Sequence, residues 1–304
     1  MKCAILYSQR AGSKAAAKRW EQMSLYLQKK RLAYDEFTSD SFGHIEHLAG
    51  VCCSRGYDTL IVVGGDGSLN DALNGVMHAP QVPEGFALGV IPNGIGNEFA
   101  RFWDMNVGEY QLTIDRIMER RIRKVDVGQC CFVTEDGKPA VRYFLNAMNV
   151  GLGARLISMW DEARRYSNSR RWSTMNVAVA QFFERKAFKM KLRIDSEWVE
   201  REMMSICIGN TQGYGQTPNA VPYNGYLDVS IITRPKWWQM LEGFYLLRKG
   251  QFLNYKNVHP YRAQEIEIAD NGKAPVSIDG KKQPVAEGKP LNITVLPERI
   301  SFII

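Results

Sequence analysis

Val62-Val63-Gly64-Gly65-Asp66-Gly67-Ser68-Leu69-Asn70-Asp71 is the stretch that decides the fold of this chain. The apolar run from Thr59 to Val63 predicts a buried parallel strand. It ends abruptly in a glycine pair beside a single carboxylate. Leu69 to Ala79 predicts a helix, with Ser68 as N-cap and Asp71 three residues on, the capping-box spacing. Glycine admits positive φ and close approach, so amides in such a turn can cradle phosphate oxygens. The helix start adds its partial positive charge. Asp66 would then be held where a nucleotide's phosphates and Mg²⁺ lie. A tight strand-to-helix turn that binds nothing is the alternative.

A second loop of the same kind follows. Ala87 to Ile91 predicts another apolar strand, running into Pro92-Asn93-Gly94-Ile95-Gly96-Asn97-Glu98-Phe99-Ala100-Arg101, where Asn97 can cap the next helix. Two such turns on successive strands fall at one carboxyl edge, where open α/β sheets bind ligands. Outward from this pair, Lys2 to Tyr7 and Ala33 to Thr38 read as strands. Gly12 to Lys30, with Trp20, Met23, Leu25 and Leu27 apolar, and Ile45 to Arg55 read as helices. Val107 to Arg121 reads as a further helix. This βαβα order predicts an α/β, doubly wound parallel sheet over residues 1–125.

From Val125 the texture changes to short alternating strands separated by Gly, Asn and Pro turns. They include Tyr143 to Asn149, Met203 to Ile208, Tyr226 to Thr233 and Leu291 to Leu296, and Glu298 to Ile304 is strand-like. Residues 126–296 are therefore read as a β-sandwich-like second domain. Two helical inserts are expected, at roughly Asn176 to Lys186 and Lys236 to Lys249. Asp136-Gly137 and Asp279-Gly280 are candidate hairpin turns.

The chain has 304 residues, 45% hydrophobic and 23% charged, as expected of a folded globular protein of two domains. No apolar run approaches the roughly 18 to 20 residues that span a bilayer. The six cysteines include two adjacent pairs and no Cys-x-x-Cys, which points to reduced thiols in a cytoplasmic protein. Net charge is +7. No nucleic-acid-binding pattern accompanies it, which favours an anionic membrane surface over nucleic acid, with a simple excess of solubilising lysines as the alternative. Arg234-Pro235-Lys236-Trp237-Trp238 leads into an amphipathic helix, and Arg164-Arg165 and Arg170-Arg171 flank Tyr166 and Trp172. Both suit a membrane interface, and both also suit packing on the sandwich. His44 and His47 share a helix face but lack a third metal ligand. Oligomeric state has no signal in the sequence.

Gly64-Gly65-Asp66-Gly67-Ser68 followed by Pro92-Asn93-Gly94-Ile95-Gly96-Asn97-Glu98-Phe99-Ala100-Arg101 resembles the diacylglycerol kinase catalytic-domain family, which includes bacterial soluble lipid kinases and the sphingosine and ceramide kinases. The resemblance extends through Gly209-Asn210, Pro218-x-Ala220, Asn224-Gly225-x-Leu227-Asp228 and Asp279-Gly280. It implies an ATP- and Mg²⁺-dependent lipid kinase that transfers the γ-phosphate to a lipid hydroxyl such as that of diacylglycerol. Such an enzyme would be cytoplasmic and transiently membrane-associated. The family's architecture also implies that the tail, about 297–304, returns to the first domain.

The same resemblance assigns roles residue by residue. Gly64, Gly65, Gly67, Ser68, Gly94, Gly96 and Asn97 fall on nucleotide-contacting positions, and Asp66 is the catalytic carboxylate. Asp71 stands where relatives carry Glu. Ser8-Gln9-Arg10-Ala11-Gly12 replaces an Asn-Pro-x-x-Gly that contacts nucleotide, retaining Ser8 and Gly12. Ser39 falls on a nucleotide-contacting Thr, with Thr38 its rival, and Ile95 replaces another such Thr. Asp279-Gly280-Lys281 matches Asp-Gly-Glu, whose Glu is commonly assigned as proton acceptor. Lys281 cannot inherit that role as a cation, so Asp279 or Asp66 would act as base. Val221, Asn224 and Tyr226 match a structural Mg²⁺ site in which Asn224 replaces an Asp, leaving an uncharged ligand.

Two other readings remain open. The departures at Ser8, Ile95, Asn224 and Lys281 suit a non-catalytic nucleotide- or lipid-binding relative, which would bind ATP without turnover. A kinase for a soluble substrate would need no detergent or vesicles, and the second loop argues against it.

Overall fold

A computed structural model describes residues 2–9, 14–41, 43–94, 96–156 and 186–304. The chain divides into two compact units, Met1–Val125 with Glu298–Ile304, and Asp126–Pro297.

In the first unit, β1 (Cys3–Ser8), β2 (Tyr34–Ser39), β3 (Thr59–Gly64) and β4 (Ala87–Pro92) are parallel, in the order β2-β1-β3-β4. Every residue of β3 and β4 is buried. That explains their unbroken apolar reading, since helices cover both faces of such a sheet. The helices are α1 (Lys14–Lys29), α2 (His44–Ser54), α3 (Asp66–Met77), α4 (Glu98–Phe102) and α5 (Tyr110–Met118). α1 buries Trp20, Met23 and Leu27, a stripe at helical spacing. Leu25 lies off that stripe and faces solvent. Gly75 of α3 packs on α2, where a Cβ would meet the Glu46 carbonyl oxygen at 2.1 Å. The returning tail joins the sheet, Phe302 pairing with Leu88 and stacking edge-on against Phe99 at 4.8 Å.

Three local expectations change. α3 begins at Asp66, not Leu69, so Ser68 lies inside its first turn. The Ser68 and Leu69 amides donate to Gly65 O at 3.0 Å, and no side chain caps this end. The helix expected over Val107 to Arg121 opens with a 3₁₀ turn at Val107–Glu109 and stops at Met118. The helix expected near Asn176 to Lys186 lies, but for Lys186, outside the described residues.

The second unit is a two-layered antiparallel sandwich. Its strands are β5 (Ile122–Val133, entered from the first unit), β6 (Pro139–Phe144), β7 (Ala147–Gly151), β8 (Phe188–Ile194), β9 (Glu197–Gly209), β10 (Leu227–Thr233) and β11 (Val258–Ala263). β12 (Glu265–Asp270), β13 (Val276–Ile278), β14 (Lys281–Gln283) and the first part of β15 (Leu291–Ile303) complete it. The long β9 serves both layers. Its first half pairs with β8, and its second half with β7 and β10. Alternate residues such as Met148, Val150, Ile206, Ile208, Val229 and Ile231 form the core between the layers. The helix α6 (Gln239–Arg248) lies within the expected Lys236 to Lys249.

Tyr143 to Asn149, expected as one strand, is broken. β6 stops at Phe144 and pairs with β5, whereas β7 restarts at Ala147 and pairs with β9 and β13. All six cysteines are free thiols, and five are buried. Burial pushes the thiols of Cys3, Cys52 and Cys207 up to about 12, as suits inert packing residues.

Candidate functional site

Strand register builds the first part of the site. Ser39 of β2 pairs with Ser8 of β1, Tyr7 with Val63 of β3, and Gly64 with Pro92 of β4. Ser39, Ser8, Gly64 and Pro92 therefore end one row along the carboxyl edge. In the order β2-β1-β3-β4 the chain reverses direction across the sheet between β1 and β3. Ser8 and Gly64 flank that topological switch point, where such sheets open a crevice for ligands. Ser8 is partly exposed, whereas Ser39 is buried and its hydroxyl donates to Ser41 O at 3.1 Å. Gly12 and Ile95 lie outside the described residues. Asp71 sits in the second turn of α3.

The two glycine loops lock into each other. Asn93 N and Gly94 N donate to Gly64 O at 2.8 and 3.2 Å, and Asp66 N donates to Gly96 O at 3.0 Å. A Cβ on Gly65 would lie 2.6 Å from Gly96 O, and one on Gly94 would lie 2.5 Å from the Gly65 Cα. Only glycine permits this backbone-on-backbone contact. Gly94→Ala should therefore force the loops apart and cost about 1–3 kcal/mol. A urea titration checks it; unchanged stability would mean the loops are not interlocked.

Asp66 fastens the pair. Its Oδ2 accepts from Glu98 N at 3.0 Å and its Oδ1 from Phe99 N at 3.2 Å, so it caps α4 from 32 residues away. Asn97, expected to cap that helix, instead turns back on its loop. Its Nδ2 donates to Gly94 O at 2.8 Å and its Oδ1 accepts from Gly94 N at 3.2 Å. Asp66 has already satisfied the helix amides, which frees Asn97 to brace the turn.

Three further residues belong to this edge. The buried Asn93 donates to Ala16 O of α1 at 3.0 Å, and Arg19 of α1 donates to Asn93 Oδ1 at 2.9 Å. Glu98 is paired with Arg101. Burial raises the Glu98 carboxyl above its usual range and the Asp66 charge adds to the rise, while Arg101 opposes both. Asn93 and Glu98 stood in the second motif, but nothing local gave them a role. Arg19 carried no sequence signal of a role here.

In the second unit, Asp279 and Gly280 take positive φ, 43° and 84°, and form the two-residue turn between β13 and β14. The Asp279 carboxylate is buried. Its Oδ2 accepts from Leu145 N at 2.9 Å, and its Oδ1 from Asn146 N and Ala147 N at 3.0 and 2.9 Å. Those amides belong to the break between β6 and β7, where the backbone changes partners. The base role expected of Asp279 thus falls on a carboxylate engaged by three amides. Lys281 opens β14 opposite Ile278.

Asn210 extends this network. Its Nδ2 donates to Leu145 O and Asp126 O at 3.0 and 2.9 Å, and its buried Oδ1 has no partner. Asp126 in turn accepts from Gly225 N at 2.7 Å, and its own N–H reaches Pro222 O. The motifs around Asn210, Asn224-Gly225 and Asp279-Gly280 are therefore woven into one hydrogen-bonded fabric.

The expected metal turn closes on itself. Asn224 Oδ1 accepts from Tyr226 N at 3.0 Å, and Val221 O from Tyr223 N at 2.9 Å. With an uncharged side-chain oxygen already used, Val221, Asn224 and Tyr226 do not fit the carboxylate that Mg²⁺ favours. Among the described residues no cluster of three or more His, Cys, Asp or Glu could hold a metal, and the His44 ring pairs with Asp40 at 3.1 Å.

The diacylglycerol kinase catalytic domain matches residues 2–130, and the YegS C-terminal NAD kinase beta sandwich-like domain matches residues 146–304. The diacylglycerol kinase of Staphylococcus saprophyticus is 23% identical over 295 residues, covering 95% of this chain and 92% of that protein. The diacylglycerol kinase of Staphylococcus carnosus is 22% identical over 290 residues, covering 91% and 87%. Among solved structures, a diacylglycerol kinase from Bacillus anthracis superposes with a TM-score of 0.66 at 17% identity, covering 99% of this chain and 96% of that one. Yeast NADH kinase complexed with NADH superposes at 0.52 and 10% identity, covering 99% and 82%. These two structural likenesses show a shared fold.

Proposed function

The chain belongs to the diacylglycerol kinase catalytic-domain family, and from that premise we propose that it is an ATP-dependent lipid kinase. The observation that carries the proposal is the pair of interlocked glycine loops at the switch point of the first unit. Phosphoryl transfer asks a protein for phosphate donors, charge neutralisation and an oriented hydroxyl, and little covalent chemistry. The partly exposed Gly65 and Gly67, with the Ser68 hydroxyl and the start of α3, are the donors this edge offers to phosphates. Ser8 and Ser39 fall on the same row, at positions that the family resemblance gives to the nucleotide. Their hydroxyls replace amide and threonine contacts with shorter ones.

Asp66 is the carboxylate assigned to act on the phosphates. Asp66, with Glu98 beside it, matches the one or two carboxylates by which Mg²⁺ is held alongside substrate phosphates. When bound, that ion would neutralise charge on the transferred group. The lipid hydroxyl oxygen forms the new bond to the γ-phosphorus as the bond to the β-phosphate bridging oxygen breaks. ADP leaves, and the hydroxyl proton passes to a carboxylate. Asp66 is favoured for that proton because it lies at the glycine-loop edge that offers the phosphate donors. Asp279 is then a positioning residue.

The test is transfer of labelled γ-phosphate from Mg·ATP to diacylglycerol, sphingosine, ceramide, phosphatidylglycerol and undecaprenol in mixed micelles. A labelled lipid absent with Asp66→Asn is the expected result. ATP binding by folded protein without transfer to any lipid would overturn the proposal in favour of a non-catalytic relative. Transfer to a water-soluble acceptor alone would favour a soluble substrate.

A further inference from the structure

α6 is apolar on two opposite faces. Its inner face buries Met240 and Gly243, and Leu246 and Leu247 pack beside Phe252 and Tyr255. The close fit is visible at Gly243, where a Cβ would lie 2.9 Å from the Tyr255 ring. Its outer face carries Leu241, Phe244 and Tyr245, and Trp237 and Trp238 stand just before it, each of the five between 51% and 64% exposed. Within the helix Leu241, Phe244 and Tyr245 stand at i, i+3 and i+4, one side of it. A helix with one stripe packed needs no second one. A contiguous exposed cluster of this size marks a contact surface.

The cations around the cluster identify the partner. Lys236 Nζ lies 5.2 Å from the Trp238 ring, Arg248 Cζ 6.0 Å from Phe244, and Lys249 Nζ 4.7 Å from Tyr245. With Arg234 they place four positive charges around one acidic residue, Glu242, on a chain of net charge +7. Two copies meeting through this face would bring like charges together. Tryptophan and tyrosine, with an apolar body and a polar tip, settle at headgroup depth, and lysine and arginine stems reach from there to lipid phosphates.

We infer that this outer face of α6, with Arg234 to Trp238 before it, docks the protein on an anionic lipid bilayer. The helix lies in the interface rather than crossing it, and no helix among the described residues is long and apolar enough to cross. That the docked membrane also holds the substrate rests on the lipid-kinase reading; the binding does not.

The experiment is co-sedimentation with vesicles of phosphatidylglycerol and phosphatidylcholine, compared with vesicles of phosphatidylcholine alone. Thermal melts confirm that each variant folds. The W237S/L241S/F244S protein should bind the mixed vesicles roughly 100-fold more weakly than wild type. K236E/R248E/K249E, whose changes lie on exposed side chains, should lose about fivefold per cation and any preference for phosphatidylglycerol. Failure of wild type to bind, or wild-type binding by both variants, would overturn the inference. So would a lipid-free dimer that the serine variant converts to monomer, because a second copy would then occupy the face. Vesicle binding without phosphoryl transfer would count against the kinase reading and leave the docking surface standing. Transfer to dispersed substrate without vesicle binding would do the reverse.

Discussion

Asp66→Asn is expected to lower phosphoryl transfer by on the order of 100- to 1000-fold and to destabilise the first unit as well. The rate effect follows from removing a carboxylate that the interlocked loops hold at the phosphate edge. The stability effect follows from hydrogen-bond polarity. Asp66 accepts two amides, one on each oxygen, from Glu98 and Phe99. Asparagine offers one oxygen and one NH₂ group, so whichever way it turns, one amide meets a donor. One charge-assisted bond is lost and a buried N–H loses its partner, costing about 1.5–3 kcal/mol. The capping role makes the substitution felt in the fold as well as in the chemistry. Initial rates under conditions where circular dichroism shows the variant folded separate the two effects. Wild-type turnover in a destabilised variant would leave Asp66 as a brace and move the chemistry elsewhere.

What the sequence made legible was set by short-range pattern. β3 and β4 were readable because continuous apolar runs ended in glycines. Both loops were readable because glycine is conspicuous where backbone meets backbone. The edge they form follows from strand order, which the βαβα alternation implies. The caps were not readable. Asp66 reaches across 32 residues to α4, and Asp279 across more than 130 to the break after β6. An acceptor's partners at such separations leave no local trace. Ser68 and Asn97 therefore looked like caps by spacing, while the chain had satisfied those amides otherwise. The break inside Tyr143 to Asn149 was hidden for the same reason, since the carboxylate that holds its amides lies in the turn after β13. α6 was legible as a helix, but sequence periodicity could not say which of its two apolar stripes faces the core.

The long reach of Asp279 makes its substitution the largest expected loss of stability. Asp279→Ala removes both acceptor oxygens from Leu145, Asn146 and Ala147, three buried amides where the chain changes sheets. No water reaches this position readily, since the side chain is 3% exposed. Losing these bonds should cost about 3–5 kcal/mol, less than three independent bonds because the segment relaxes as one piece. Alanine also sits poorly at a φ of 43°, so the substitution carries a backbone penalty of about 1 kcal/mol. Asp279→Gly relieves that penalty while still removing the acceptors, so the difference between the two gives the backbone penalty and the loss in the glycine variant reports the carboxylate. Asp279→Asn keeps one oxygen and tolerates the left-handed backbone, so it should fall between wild type and glycine in urea denaturation. If Asp279 positions the turn, folded Asp279→Asn keeps its transfer rate within about tenfold while its stability drops. If Asp279 is instead the proton acceptor, the same variant loses rate on the order of 1000-fold at little cost in stability. A wild-type denaturation midpoint with a dead enzyme would move the base from Asp66 to this turn.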